Sequence, residues 1–513
     1  MNQSTMTGWL MRWHRRIGIV ACVGVLLWCI SGLMHPIMSR LNPRPVQFMP
    51  PAQVLDLPHD SDHVALQMAL RDASINELNG VRVVRWPDGA AYYQISLPQQ
   101  AERRYLPTST NAPVPSTQMD ADYATLLARH YLGDQQAAIK ASRIITEFDD
   151  EYVYINRLLP VWRIDFDRPD GMRVYVDTGT AKLGAMVDDR KAMLSQIFRW
   201  MHSHTYAEGH ARLRLLFMSS LLGLILITAM GGLVIYGVRW GKMSRQQGLR
   251  IWHRRIGLLV SLALLMLAGS GAWHLLMDHT EATVVPAFHP VTVKAEQIRT
   301  CPLTVLHDTG FMASDMAMQV IDGQVWYRFA PQTQAAGQAA SEHDHHASHE
   351  AKTSQAAPMA LWVDVQTNRR WQANDAPDSI EATLVGKLAK TTLSEDTKDA
   401  KELNRQHIVR FGDGYGFIFK RLPVERVAFD TPDHQAVYVD PATGVIAAVL
   451  NDEARTQGWI FAYLHKWEWL VPIVGKDGRD FAQGIFALGN AVVALLGIWL
   501  FTRTRRPAVK RNS

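Results

Sequence analysis

Cysteine is nearly absent from this chain of 513 residues: Cys22 and Cys29 fall inside one apolar run and Cys301 stands alone. Three such residues build no disulfide framework, and without a CxxC pair there is no cysteine metal site. Also missing are a GxGxxG turn after a strand, a Walker lysine motif, HExxH and GxSxG, which removes the commonest nucleotide, metalloprotease and hydrolase signatures. A strong charge of one sign is lacking as well. The 53 lysines and arginines exceed the 48 acidic residues by only a net +5. The basic residues crowd beside apolar runs, so they read as membrane topology signals and no nucleic-acid partner is expected.

What the chain does have is long apolar runs. Four qualify as spans, at about 14–36, 213–237, 254–277 and 484–502. The first is too long for a signal peptide and lacks a small-residue cleavage site, so it is retained as an anchor. Arg12, Arg15 and Arg16 precede it. Arg239, Lys242, Arg245, Arg250, Arg254 and Arg255 fill the link between the second and third, and Arg503, Arg505, Arg506, Lys510 and Arg511 follow the fourth. The positive-inside rule puts these three segments in the cytoplasm and both termini inside. The expected division is a cytoplasmic N-terminus and first span over 1–36, an outward domain over 37–210 and a second span over 211–238. A cytoplasmic loop over 239–253 and a third span over 254–277 follow. A second outward domain covers 278–483, and a fourth span with its tail covers 484–513.

The first and third spans are two copies of one stretch. Trp13-His14-Arg15-Arg16-Ile17-Gly18 opens the first, which closes Ser31-Gly32-Leu33-Met34-His35. Trp252-His253-Arg254-Arg255-Ile256-Gly257 opens the third, which closes Ser270-Gly271-Ala272-Trp273-His274. Each copy carries a histidine at both ends, about 31 Å and about 60° apart on a helix, so both can face one bundle interior. Ionisable residues in a span are costly and mark function, although an interfacial histidine beside arginines needs no special role.

The outward domains repeat too. Leu159-Pro160-Val161-Trp162-Arg163-Ile164-Asp165-Phe166 leads into Val174-Tyr175-Val176-Asp177, and Leu422-Pro423-Val424-Glu425-Arg426-Val427-Ala428-Phe429 leads into Val437-Tyr438-Val439-Asp440. Each is a strand, a turn on Pro-Asp and a second strand. Further on, Ile197-Phe198-Arg199-Trp200-Met201-His202 matches Ile460-Phe461-Ala462-Tyr463-Leu464-His465. Weaker hairpins are expected around Val81–Leu97 and Gln319–Ala330, with amphipathic helices at Asp120–Leu132 and Ser379–Ala389. The chain thus reads as an α-helical membrane protein, a four-helix bundle with two outward α+β domains, in tandem duplicated halves related by an axis along the membrane normal. An insert over 331–358 is rich in Ala, Gln, Ser and His. It reads as a flexible loop in which His343, His345, His346 and His349 bind metal weakly, if at all.

The Trp-His-Arg-Arg-Ile-Gly openings, the Leu-Pro-Val hairpins and the lead-ins to His202 and His465 resemble PepSY-associated transmembrane proteins over nearly the whole chain. Within them the paired His35 and His274 most resemble the bacterial inner-membrane ferric-siderophore reductases. The resemblance implies two periplasmic PepSY-like domains, b-type haem, and a reductase that frees iron from imported siderophores for uptake partners. Histidine is the usual axial ligand when haem sits between facing helices. His14 would face His253 near the cytoplasmic surface and His35 would face His274 near the outer one, giving two haems. His202 and His465 would complete the outer haem, form a second outer site or contact substrate. Met34, Trp28 and Trp273 would pack the porphyrin or serve as plain core. His204, His210 and His279 have no counterparts and read as surface or site-lining residues.

With no cytoplasmic domain there is no room for a flavin or nicotinamide module, so electrons would come from a quinol, a soluble cytoplasmic reductant or another protein. The alternative is non-enzymatic: an ectodomain that binds periplasmic ligands or modulates proteases. A transporter is disfavoured, because the four apolar runs lack acidic residues and breaks.

Overall fold

The computed structural model describes residues 3–55, 63–240, 248–280, 290–332, 360–371, 380–412 and 414–503. The expected metal-binding histidines His343, His345, His346 and His349 lie outside them, as do Lys242, Arg245 and the tail beyond Arg503.

Two compact units emerge, and their boundaries differ from the expected ones. One gathers 1–42, 190–282 and 453–513; the other gathers 43–189 and 283–452. The segments leading into the second and fourth spans therefore belong with the helices, not with the outward domains.

In the helical unit four long helices, Gln3–Leu41, Ala211–Val238, Leu249–Thr280 and Val471–Arg503, carry the four expected spans. Even the shortest, at 28 residues, runs about 42 Å against a hydrocarbon core of about 30 Å. Each packs on the next and the first closes on the fourth. Between helices already surrounded by apolar chains the attraction comes from close packing, so small residues at the contacts decide the spacing. A Cβ on Gly24 of the first helix would stand 2.6 Å from Leu221 of the second. One on Gly489 of the fourth would stand 2.7 Å from Val260 of the third. Both contacts exist only because glycine is there. Ala21, Val25, Cys29, Leu222, Ile225, Ala268, Ala487 and Ala494 fill the buried centre.

The fourth helix corrects one expectation. It starts well before 484 and is broken at Gly475, whose φ of 70° is left-handed. The helix carries Asp477 and Asp480 in the turns that follow. Hydropathy missed these residues because their charges are neutralised in place. Arg479, Asp480 and Glu468 are buried together, with Arg479 holding Glu468 at 2.6 Å and Asp480 at 2.8 Å. Arg40 of the first helix reaches Asp480 at 3.1 Å and Asp477 at 2.5 Å. Buried charges persist only when paired in this way.

The other unit is built from antiparallel sheets, four of them with strands in sequential order. The expected hairpins are present, as Gly80–Arg85 with Ala91–Ser96 and as Ala313–Ile321 with Gln324–Pro331. So are the helices, Met119–Leu132 and Ile380–Lys390. The repeated hairpins sit in four-stranded sheets, Ile139–Ile145, Val161–Phe166, Arg173–Asp177 and Lys182–Val187 in the first half. Glu402–Ile408, Val424–Phe429, Ala436–Asp440 and Val445–Leu450 answer them in the second. The duplication extends to the ladder irregularities, which fall between Tyr175 and Val176 in one sheet and between Tyr438 and Val439 in the other.

The two halves of this unit are not independent. Glu77–Leu78 pairs with Val293–Lys294, and one core takes Leu70, Val81, Tyr93 and Ile95 from the first segment with Met316, Tyr327, Phe329 and Val363 from the second. The helix Met119–Leu132 lies between the remaining face of the first hairpin and its own outer sheet, contributing Tyr123, Leu127 and Tyr131. Its buried Asp120 accepts from the Tyr105 hydroxyl at 2.8 Å, the Trp162 indole at 2.7 Å and the Arg103 amide at 3.1 Å. In the second half Glu381 ties Arg328 and Trp362 in the same manner.

Candidate functional site

The helix Asp189–His202 ends on His202, and the helix Asp452–Ile460 continues into a π-turn, Phe461–His465, that ends on His465. Single π-turns are frequent at functional sites. Both histidines return to the bundle and their rings meet at 6.2 Å, nearly perpendicular. Each ring also stacks on the phenylalanine four residues earlier in its lead-in, Phe198 at 4.8 Å and Phe461 at 5.1 Å.

Two serines fix the protonation pattern of this pair. Ser31 Oγ lies 3.0 Å from His202 Nδ1, and Ser270 Oγ lies 3.1 Å from His465 Nδ1. Each serine has one hydroxyl proton, and each directs it to a backbone carbonyl of its own helix, Trp28 and Leu267 respectively. The oxygen must therefore accept from Nδ1–H, which leaves Nε2 of both imidazoles with a lone pair. His253 is set the same way, since its Nδ1 meets the Val493 carbonyl at 3.1 Å and a carbonyl only accepts. An Nδ1–H held by an outer partner with Nε2 left free is the arrangement of a metal-ligating histidine. Burial, and next the neighbouring His465, push the pKa of His202 down to about 3. Burial, and next His274, push that of His465 down to about 4. Both rings are neutral at physiological pH.

His35 and His274 are placed differently from the expected facing pair. Both are exposed. His35 lies 6.1 Å from the ring of Phe198, and His274 lies 5.2 Å from that of Phe461. Gln457 donates to His274 Nδ1 at 3.2 Å, so His274 carries its proton on Nε2. Among the described residues no hydrogen bond or ring contact joins His35 to His274. The more buried pair at this end is His202 with His465, and the exposed two flank it.

At the other end His14 packs against the second span, where a Cβ on Gly232 would come within 3.2 Å of its ring. His253 packs against the fourth span, where a Cβ on Gly497 would come within 3.4 Å. The two imidazoles lie within electrostatic range of each other. His14 Nδ1 is buried beside the Thr228 backbone, with no well-formed hydrogen bond among the described residues.

Whether this donor set suits haem can be judged from the pair at 6.2 Å. Two imidazoles on one iron stand about 6 Å apart between ring centres, taking about 2 Å for each metal–nitrogen bond. With that separation, the lone pairs on Nε2 and the serine partners, the two imidazoles would be suited to hold a haem iron. Among the described residues no three of His, Cys, Asp and Glu converge to hold a bare ion.

Of the residues expected to pack a porphyrin, Met34 is half-buried and Trp28 is engaged elsewhere. Trp28 donates to the His202 carbonyl at 2.9 Å and meets His204 edge-on at 5.7 Å. Trp273 is exposed. His204 is not a surface residue: it is 1% exposed, with the Tyr206 hydroxyl 3.2 Å from Nδ1. His210 is exposed, and the side chain of His279 lies outside the described set. Sequence reasoning missed Ser31 and Ser270 as partners, although both sit in the duplicated stretch four residues before a histidine. It also missed Phe198 and Phe461, whose signal was their shared place in the two lead-ins.

The sequence model of the family described as the PepSY-associated TM region matches residues 11–386, a stretch that includes the first three spans and both Trp-His-Arg-Arg motifs. No curated protein matches the chain.

Proposed function

The chain belongs to the PepSY-associated transmembrane family, and on that premise we propose that it is a b-type haem reductase of the bacterial inner membrane. It passes electrons across the bilayer to ferric siderophores and releases ferrous iron for uptake. The observation that carries this reading is the pair His202 and His465, each held by a serine in the tautomer that frees Nε2. They would hold one haem, flanked by His35 and His274. His14 and His253 would hold a second, toward the basic end of the bundle. A bound haem supplies a one-electron carrier.

The residues of the chain do the rest. Ser31 and Ser270 orient the imidazoles and raise their basicity. Phe198 and Phe461 stack on those rings and fix their planes. The surrounding apolar helices keep water from the carriers, which tunes their potential. The basic residues Arg12, Arg15, Arg16, Arg239, Arg250, Arg254 and Arg255 favour the cytoplasm for the His14 end. With both termini inside, the segments 37–210 and 278–483 would lie in the periplasm, where the ferric complex arrives. Lipid and iron-uptake components are the expected partners.

The test uses the purified protein under anaerobic conditions. Once reduced and freed of excess reductant, it is mixed with a ferric hydroxamate complex and a ferrous-specific chelator. Ferrous chelate should form as the protein reoxidises, with one iron trapped per electron released. Reoxidation without ferrous iron above the protein-free control would contradict a role in iron release.

A further inference from the structure

A cavity of about 330 Å³ lies beside His14, lined by Trp9, Leu10, Trp13, Ile17, Ile227, Thr228 and Gly231. Every lining residue belongs to the first or second span, so the cavity is a cleft between those two helices and not the space between His14 and His253. Its rim faces outward: Ile227 is 58% exposed, Trp9 47% and Trp13 44%. On a helix in a bilayer such exposure is exposure to lipid, so the cleft opens sideways into the membrane. Its walls are almost wholly apolar. Two buried polar atoms break that pattern: His14 Nδ1, which faces the Thr228 backbone, and Thr228 Oγ1, which has no hydrogen-bond partner among the described residues. An unsatisfied polar atom in an apolar setting costs free energy, and the Thr228 hydroxyl in this cleft calls for a ligand that satisfies it. The occupant must dissolve in lipid, lie flat against indole rings and carry oxygen atoms on its ring.

We propose that this cleft binds the headgroup of an isoprenoid quinol, with Thr228 and His14 hydrogen-bonding its ring oxygens and Trp9 and Trp13 lining one side of it. The inference deepens the reductase reading and rests on it for the fate of the electrons. A quinol loses two electrons and two protons in becoming a quinone. Haem at each end of the bundle would supply the one-electron acceptors, so one quinol would serve two ferric complexes. The protons leave the two hydroxyls for water at the same membrane face, where Arg12, Arg15 and Arg16 mark the interface. A pocket of a few hundred Å³, mostly apolar with a few placed polar groups, is the usual form of a small-molecule site.

The experiment is photolabelling of the full-length protein in lipid nanodiscs with an azido-quinone, with the sites mapped by mass spectrometry. Label is expected on residues 9–17 or 227–231, displaced by excess decylubiquinone. Ile227→Trp fills the mouth and should cut labelling at least tenfold. Thr228→Val removes only the hydroxyl at constant shape and should weaken displacement by about tenfold. Label elsewhere, or undiminished label in both variants, overturns the assignment. Displacement by an alkyl chain without a ring, at the same concentration as the quinone, shows a lipid groove and overturns it equally. An absorbance spectrum taken on the same samples separates the two readings. Coloured protein without label sinks the quinol site alone, whereas colourless labelled protein upholds the site and sinks the reductase.

Discussion

His465→Ala is expected to halve the haem content of the purified protein and to lower ferric-siderophore reduction at least a hundredfold. His202→Ala should do the same, and the double variant should cost little more, because one site has already gone. The tautomers dictate this outcome. With the hydroxyl protons of Ser31 and Ser270 committed to carbonyls, only Nε2 of each imidazole has a lone pair to give. Ser270→Ala leaves the ligand but frees its ring, and loss of such an outer partner typically costs 10–100-fold in metal affinity. That variant should keep haem when made but release it faster to an apo-globin acceptor. His35→Ala and His274→Ala should retain most of the haem, since both residues are exposed and His274 is protonated on Nε2. Haem per protein, measured as the pyridine complex, checks all six variants. Full haem in both His202→Ala and His465→Ala would move the ligands to His35 and His274.

In the sheet unit the largest loss is expected from Asp440→Asn. Asp440 is 3% exposed and lies 3.2 Å from Arg421 and 4.0 Å from Lys182, whose ammonium also donates to the Leu422 carbonyl. Burial alone would raise its pKa, but Lys182 and Arg421 outweigh burial and hold the carboxyl below the usual range. Burial draws the Lys182 pKa down, and Asp440 opposes it. Asparagine keeps the side-chain oxygen that accepts from the Ala442 and Thr443 amides, so the substitution isolates the charge. Two partly buried cations left without their anion should cost up to about 3 kcal/mol, at the lower end of the range for a broken buried pair. Urea unfolding followed by tryptophan fluorescence would read that as a lower midpoint at unchanged slope. The sign with pH follows from the direction of the shift. A carboxyl whose folded pKa is depressed stabilises above its unfolded value of about 3.9. That stability is lost as pH falls through the folded value, so the wild-type unit should weaken on acidification below about pH 4. Asp440→Asn should show a shallower acid dependence. An unchanged midpoint in the variant would mean that Lys182 and Arg421 find water.

Span-length hydrophobicity and period-two alternation are local signals, which is why the four helices and the repeated hairpins could be read directly from the sequence. The same is true of the histidines, because duplication itself marked His202 with His465. What could not be read is who meets whom. The alternation of Val81, Val83, Tyr93 and Ile95 shows a buried face without saying that Tyr327 and Phe329, more than two hundred residues on, complete it. Hydropathy likewise registers Arg479, Asp480 and Glu468 as a reason to start the fourth span later, since it cannot know that they neutralise one another. Ser31 and Ser270 were visible as letters of the repeat. Their meaning lay in where two separate helices bring His202 and His465, and that is a tertiary fact. Pairing His35 with His274 extrapolated symmetry along one pair of helices. The neighbouring helices place the more buried rings instead.

The most direct test of the central claim is a reduced-minus-oxidised absorbance spectrum of the full-length protein purified from haem-replete cells. The account predicts a Soret band that shifts and sharp visible bands that appear with dithionite. It also predicts pigment that leaves the chain entirely in acidified acetone, because no cysteine motif tethers it. A colourless preparation, with the sheet unit folded and the four helices intact, would contradict it.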